Sequence, residues 1–166
     1  MMVFDQGEFF LLALVIFPLF LWSQRRQSIR HLIYRAVFYV YLAGVVSQTL
    51  FPITLDWEWG LVNKEHHLQL ELFQYFVWRE AWLNVLLTLP LGFLYPLISR
   101  HSWAKTLGLG VLTPVLIELT QFMLLYTTID YYRVADVSDV FFNFWGVVLG
   151  YLIYRLLLGK SQRATP

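Results

Sequence analysis

The sequence predicts an all-α fold: a polytopic integral membrane helical bundle of five transmembrane helices, with the N-terminus outside and the C-terminus in the cytoplasm. Three observations predict it. Of 166 residues, 58% are hydrophobic and only 14% charged, whereas a soluble domain is roughly half apolar and a quarter charged. Five stretches approach the ~20 apolar residues needed to cross a hydrocarbon core of ~30 Å. The connecting segments alternate between basic and acidic character, as expected when Lys and Arg collect in short cytoplasmic loops.

Helix one is placed at about 4–23. Its uninterrupted apolar run, Phe9 to Trp22, has 14 residues and reaches spanning length by extending back to Phe4, with Asp5 and Glu8 among the outer headgroups. If it fails to span, the chain has four crossings and the N-terminus moves inside. Asp5 and Glu8 also occupy the stretch where a secretory signal carries Lys or Arg, and no small-residue cleavage site follows, so no signal peptide is expected. Helix two is placed at 32–53, helix three at 81–99, helix four at 106–129 and helix five at 139–158, within a single domain over 1–166. The long connection, 54–80, lies outside. Its second half, HHLQLELFQYFVW, is too apolar for free solvent and too interrupted to span, and it reads as an interfacial segment with helix slightly preferred to strand.

Charge fixes the orientation. Arg25, Arg26, Arg30, Arg35, Arg100, Lys105, Arg155, Lys160 and Arg163 fall on one side, nine of the twelve basic residues. Ten of the eleven acidic residues fall on the other, and the eleventh, Glu118, lies within helix four. Trp57, Trp59, Trp78 and Trp82 cluster at the outer boundary and Trp22 and Trp103 at the inner one, the headgroup level that indole rings prefer.

Several functions are excluded or disfavoured. Without cysteine there is no disulfide, thiolate nucleophile or Cys-based metal site, and a net charge of +1 gives no reason to expect nucleic acid. His66 and His67 are adjacent, not four apart, so no metal site is assigned to them. No internal repeat supports an inverted-repeat transporter.

Ionisable and amide side chains inside a bilayer are costly, so they should face protein or water. In helix four, Glu118 and Gln121 share a face with Gly110 and Pro114. In helix five, Asp136, Asp139, Asn143, Gly146 and Gly150 follow spacings of 3, 4, 3 and 4, ending in a GxxxG packing element. In helix three, Asn84, Thr88 and Gly92 form a third stripe. At ~1.5 Å per residue Glu118 lies about 18 Å above Thr106, in the outer leaflet, where Gln121, Asn84, Asp139 and Asn143 also fall. Arg133, three residues before Asp136, would add a positive charge over the same pocket. Structural roles are weighed beside these. Asp136 suits the N-cap of helix five with Asp139 at N3, Glu118 suits a hydrogen-bonded structural acid, and Asn84 and Gln121 suit interhelical hydrogen bonds.

Three segments resemble the VanZ-like membrane proteins: NVLLTLPLGFL (Asn84 to Leu94), IELTQ (Ile117 to Gln121) and RVADVSDVFFNFWGVVLGY (Arg133 to Tyr151). The last is similar to the family pattern Asp-x-x-Asp-x-x-x-Asn-x-x-Gly-x-x-x-Gly. Gly146-Val147 stands where the family often has Gly-Gly, and no Asn-x-x-Pro-Phe element occurs in the outer loop. The resemblance implies a bacterial cell-envelope protein of the cytoplasmic membrane, linked to low-level teicoplanin resistance, with no established reaction.

Three functions are carried forward. In the first, Asn84, Gln121, Arg133, Asp136 and Asn143, with Glu118 and Asp139, form an outward-facing pocket for a membrane lipid headgroup or lipid-linked envelope precursor. In the second, Glu118 and Asp139 are catalytic, as an acid and base, or with Asp136 as oxygen ligands to a divalent metal such as Mg²⁺. Otherwise no cofactor is expected. In the third, the chain is a structural partner, and a homo-oligomer forms through Gly146 and Gly150.

Overall fold

The computed structural model describes residues 2–55, 68–74, 76–99, 103–125 and 135–158. Among these residues five α-helices dominate: α1 (Gln6–Ser23), α2 (Ile29–Leu50), α3 (Trp78–Ile98), α4 (Trp103–Leu125) and α5 (Val137–Leu158). Four short extended pieces accompany them: β1 (Met2–Phe4), β2 (Ile53–Leu55), β3 (Leu68–Gln69) and β4 (Ala135–Asp136). All five helices are long and apolar enough to cross a membrane. The shortest, α1, has 18 residues and a length of about 27 Å. The chain divides into two compact units, Met1–Gln74 with Leu116–Val137 and Tyr75–Val115 with Ser138–Pro166.

In the first unit, α1 starts from a capping box. The Asp5 carboxylate accepts from the Glu8 backbone N–H at 2.9 Å, and Glu8 accepts in return from the Asp5 N–H at 3.2 Å. The acids that the sequence assigns to headgroups therefore also start the helix. α1 lies antiparallel on α2. The Tyr39 hydroxyl donates to the Ala13 carbonyl at 2.8 Å, and Phe17 and Phe20 pack on the Tyr39 ring. Beyond the helices β1 pairs antiparallel with β2, from Met2↔Leu55 to Phe4↔Ile53, and Phe9 packs on Phe51. The start of α1 is thus tied to the end of α2, so α1 covers nearly the whole length of its neighbour. α2 stops at Leu50, three residues short of the expected 53, because Pro52 drives Phe51 into an extended conformation (φ −107, ψ 151).

The second half of the outer loop differs from the interfacial helix that its apolarity suggests. Leu68–Gln69 pairs in parallel with Ala135–Asp136, residues 72–74 form a turn, and helix begins only at Trp78. Alternating polar and apolar residues in HLQLEL suit a strand edge, and the tertiary pairing with β4 decides for it.

The second unit is built on a parallel pair, α3 and α5. Asn84 faces Asp139, Thr88 faces Asn143 and Gly92 faces Val147, in constant register. A methyl group at Gly92 would overlap the Val147 carbonyl oxygen, one at Gly146 the Val85 carbonyl, and one at Gly150 the Leu89 carbonyl. Because these obstacles are backbone atoms, the two helices touch main chain to main chain. Val147 is completely buried, and on its other side a methyl at Gly110 of α4 would meet its Cγ1 at 2.9 Å. Opposite faces of the helices, such as Leu83, Leu86, Leu152 and Leu156, are exposed and apolar, as lipid requires.

Candidate functional site

The expected site residues fall into two sets, one in each unit. Glu118, Gln121 and Asp136 belong to the first and Asn84, Asp139 and Asn143 to the second. Arg133 lies outside the described residues, as do His66, His67, Trp57 and Trp59 and the expected helical segment 126–129.

In the first unit, Glu118 Oε2 accepts the backbone N–H of Asp136 at 3.0 Å. Asp136 immediately precedes α5, at its N-cap position, and Asp139 is the third helical residue, where a carboxylate is favoured by the helix dipole. Glu118 therefore holds the chain at the point where α5 begins, beside the β3–β4 pairing at Gln69 and Asp136. One helical turn on, Gln121 Nε2 donates to the Thr49 carbonyl of α2 at 2.9 Å, and the Thr49 hydroxyl donates to the Val45 carbonyl at 2.8 Å. Thr49 carries no signal in the sequence. It is an ordinary polar residue near a helix end, and its role comes from a carbonyl, which every residue has.

In the second unit, Asn84 Nδ2 donates to Asp139 Oδ1 at 2.5 Å. One turn further in, the Thr88 hydroxyl donates to the Asn143 carbonyl at 2.6 Å, with a longer bond to the Asn84 carbonyl at 3.1 Å. Thr88 is fully buried and Asn143 is 1% exposed. Among the described residues the Asn143 side-chain oxygen, Oδ1, is buried with no hydrogen-bond partner. Leaving such an acceptor unpaired costs about 1 to 3 kcal/mol, so a missing donor is the feature to explain. Among the described residues two further buried oxygens lack partners, Ser47 Oγ in the first unit and Thr106 Oγ1 in the second. Neither lies within a helical turn of a carboxylate in its own helix.

The chemistry of the second set is that of an acceptor-rich polar ladder: a carboxylate, an amide that serves it, and a second amide whose oxygen is unused. Chemically, such a ladder can accept an N–H or O–H. Among the described residues no group of three His, Asp or Glu side chains is placed to hold a metal ion.

The model of the VanZ/LLP1 family matches residues 38–158, from within α2 to the end of α5 and well over half of the chain. Comparisons with curated proteins and with solved structures give no match.

Proposed function

The chain belongs to the VanZ/LLP1 family and is a multi-pass membrane protein, and on that premise we propose that the polar ladder between α3 and α5 recognises the headgroup of a lipid or lipid-linked envelope intermediate. In this proposal the membrane is the bacterial cytoplasmic membrane, and the segregation of charge in the sequence supports an orientation with the N-terminal ends of α3 and α5 on its outer side. Glycopeptide susceptibility would then change through the lipid or precursor that the ladder holds.

The observation that carries this reading is Asn143 Oδ1, buried and without a partner among the described residues, one turn below the Asn84–Asp139 bond. A hydroxyl or amine of a headgroup supplies the donor that the protein withholds. Glu118 is assigned a positioning role, since it fixes the backbone at Asp136 from which α5 starts. The catalytic alternative is less well supported, because Glu118 and Asp139 each already accept a hydrogen bond from the protein's own donors. The interaction alternative has to reckon with a GxxxG face that is filled by α3 of the same chain.

The test uses purified protein incubated with bacterial lipid extract, washed, and analysed by mass spectrometry. Wild type is expected to retain a specific unmodified lipid. Asn143→Leu removes the unpaired acceptor at similar volume, so it is expected to keep or raise thermal stability while losing that lipid. Retention of the same lipid by a folded Asn143→Leu protein would overturn the assignment. Chemical conversion of the lipid, lost in Asp139→Asn, would select the enzyme instead.

A further inference from the structure

The turn that joins α1 to α2 lies at the other end of the helices from the capping box and ahead of the region matched by the family. From Phe9 to Leu55 the chain contains no carboxylate, yet it places Arg25, Arg26, Arg30 and Arg35 within one connection and the first turns of α2. Topology alone accounts for basic residues at a cytoplasmic boundary. It does not account for how these are held.

Arg25 lies over the Trp22 ring, 4.0 Å from its centroid, and donates to the Trp22 carbonyl at 3.3 Å. Arg30 donates to the Tyr34 hydroxyl at 3.0 Å. Arg35, partly buried, donates to the Gln24 side-chain oxygen and braces the turn from within. Arg26 makes no hydrogen bond or ion pair among the described residues, and Arg25, Arg26 and Arg30 are all exposed. Two guanidiniums are therefore held by uncharged partners, which costs them none of their charge.

The start of α2 adds backbone donors. Ser28 is its N-cap residue, but the hydroxyl engages His31 Nδ1 at 2.9 Å and caps no backbone N–H. The N–H groups of the first turn thus have no side-chain cap, and the positive end of the helix dipole opens on the arginines. Leu19, Trp22, Ile29 and Ile33 are exposed around the turn, so the patch sits where an apolar surface meets charge.

We propose that this turn is a binding site for the phosphate of an anionic membrane lipid, with Arg25, Arg26 and Arg30 and the α2 N-terminus as its donors and Arg35 as a positioning residue. The apolar surround selects a lipid phosphodiester over a soluble phosphate. The site shares no residue with the α3–α5 ladder and does not rest on the function proposed for it.

Detergent-purified, delipidated protein would be titrated with phosphatidylglycerol and with phosphatidylcholine by native mass spectrometry, with glycerol phosphate as a soluble competitor. Wild type is expected to prefer phosphatidylglycerol by at least about tenfold, because each basic residue near an anionic headgroup contributes severalfold. R25Q/R26Q/R30Q is expected to abolish the preference, while K105Q/R155Q/K160Q, which removes as much charge elsewhere, retains it. R26Q alone breaks no hydrogen bond or ion pair among the described residues, so it is expected to weaken the preference severalfold even if the triple variant fails to fold. Equal losses in both triple variants, or an unchanged R26Q, would overturn the site. Competition by glycerol phosphate at the concentration of the lipid would overturn its assignment to lipid.

Discussion

The Asn84 amide donates to the Asp139 carboxylate across the parallel helices α3 and α5. Removing the donor leaves the carboxylate with one partner fewer in a partly buried setting. Asn84→Leu is therefore expected to destabilise the protein by about 1 to 3 kcal/mol. Asp139→Asn keeps an accepting oxygen and should cost less. A cycle through Asn84→Ala, Asp139→Ala and the double variant, read by thermal unfolding in micelles, should give a coupling of about 0.6 to 2 kcal/mol. Strict additivity would show that the bond contributes nothing.

The glycines divide by what surrounds them. A methyl at Gly92, Gly146 or Gly150 would overlap backbone of the facing helix, whereas one at Gly44 or Gly108 would meet nothing within 4 Å. Alanine at any of the first three forces α3 and α5 apart and is expected to cost at least about 1 to 3 kcal/mol, the range for overpacking. Alanine at Gly44 or Gly108 should be neutral or stabilise by up to about 1 kcal/mol through helix propensity. Melting temperatures of the five single variants check this, and the two groups should not overlap.

Much of this arrangement was legible in the sequence, because apolar length identifies membrane helices and a spacing of three or four identifies a face. The stripes Asn84–Thr88–Gly92 and Asp139–Asn143–Gly146–Gly150 could be read that way. That they meet each other in register could not. Periodicity says which way a residue points along its own helix and nothing about its partner. The same limit hid Thr49, which meets Gln121 through a backbone carbonyl. It also hid the pairing of Leu68–Gln69 with Ala135–Asp136, where two segments far apart in the chain satisfy each other's main chain. The Asp5–Glu8 capping box is different, since its D-x-x-E spacing is visible in the sequence, yet topology explains the two acids as headgroup contacts without it.

That capping box gives a further prediction. Asp5→Ala removes the acceptor for the Glu8 N–H, and loss of an N-cap side chain costs about 0.5 to 2 kcal/mol. The cost should appear locally. Amide hydrogen exchange is expected to speed up in the first turn of α1 and in the β1–β2 pair that precedes it, with little change in α3 or α5. Uniform acceleration throughout the chain would show that the cap matters only through global stability.

Glu118 separates a positioning role from a chemical one. Its oxygen accepts the Asp136 N–H at the start of α5, and a neutral amide oxygen can accept the same bond. Glu118→Gln should therefore keep both thermal stability and lipid retention near wild type. Glu118→Ala leaves that N–H without its acceptor and should lose about 1 to 3 kcal/mol. Its lipid retention should fall as well, because α5 carries Asp139 and Asn143 and begins at the residue that Glu118 holds. Rescue by glutamine is what distinguishes this account from acid–base chemistry, in which glutamine cannot carry the proton. A Glu118→Gln protein that folds normally but no longer retains or converts lipid would move Glu118 from the frame of the site to its chemistry.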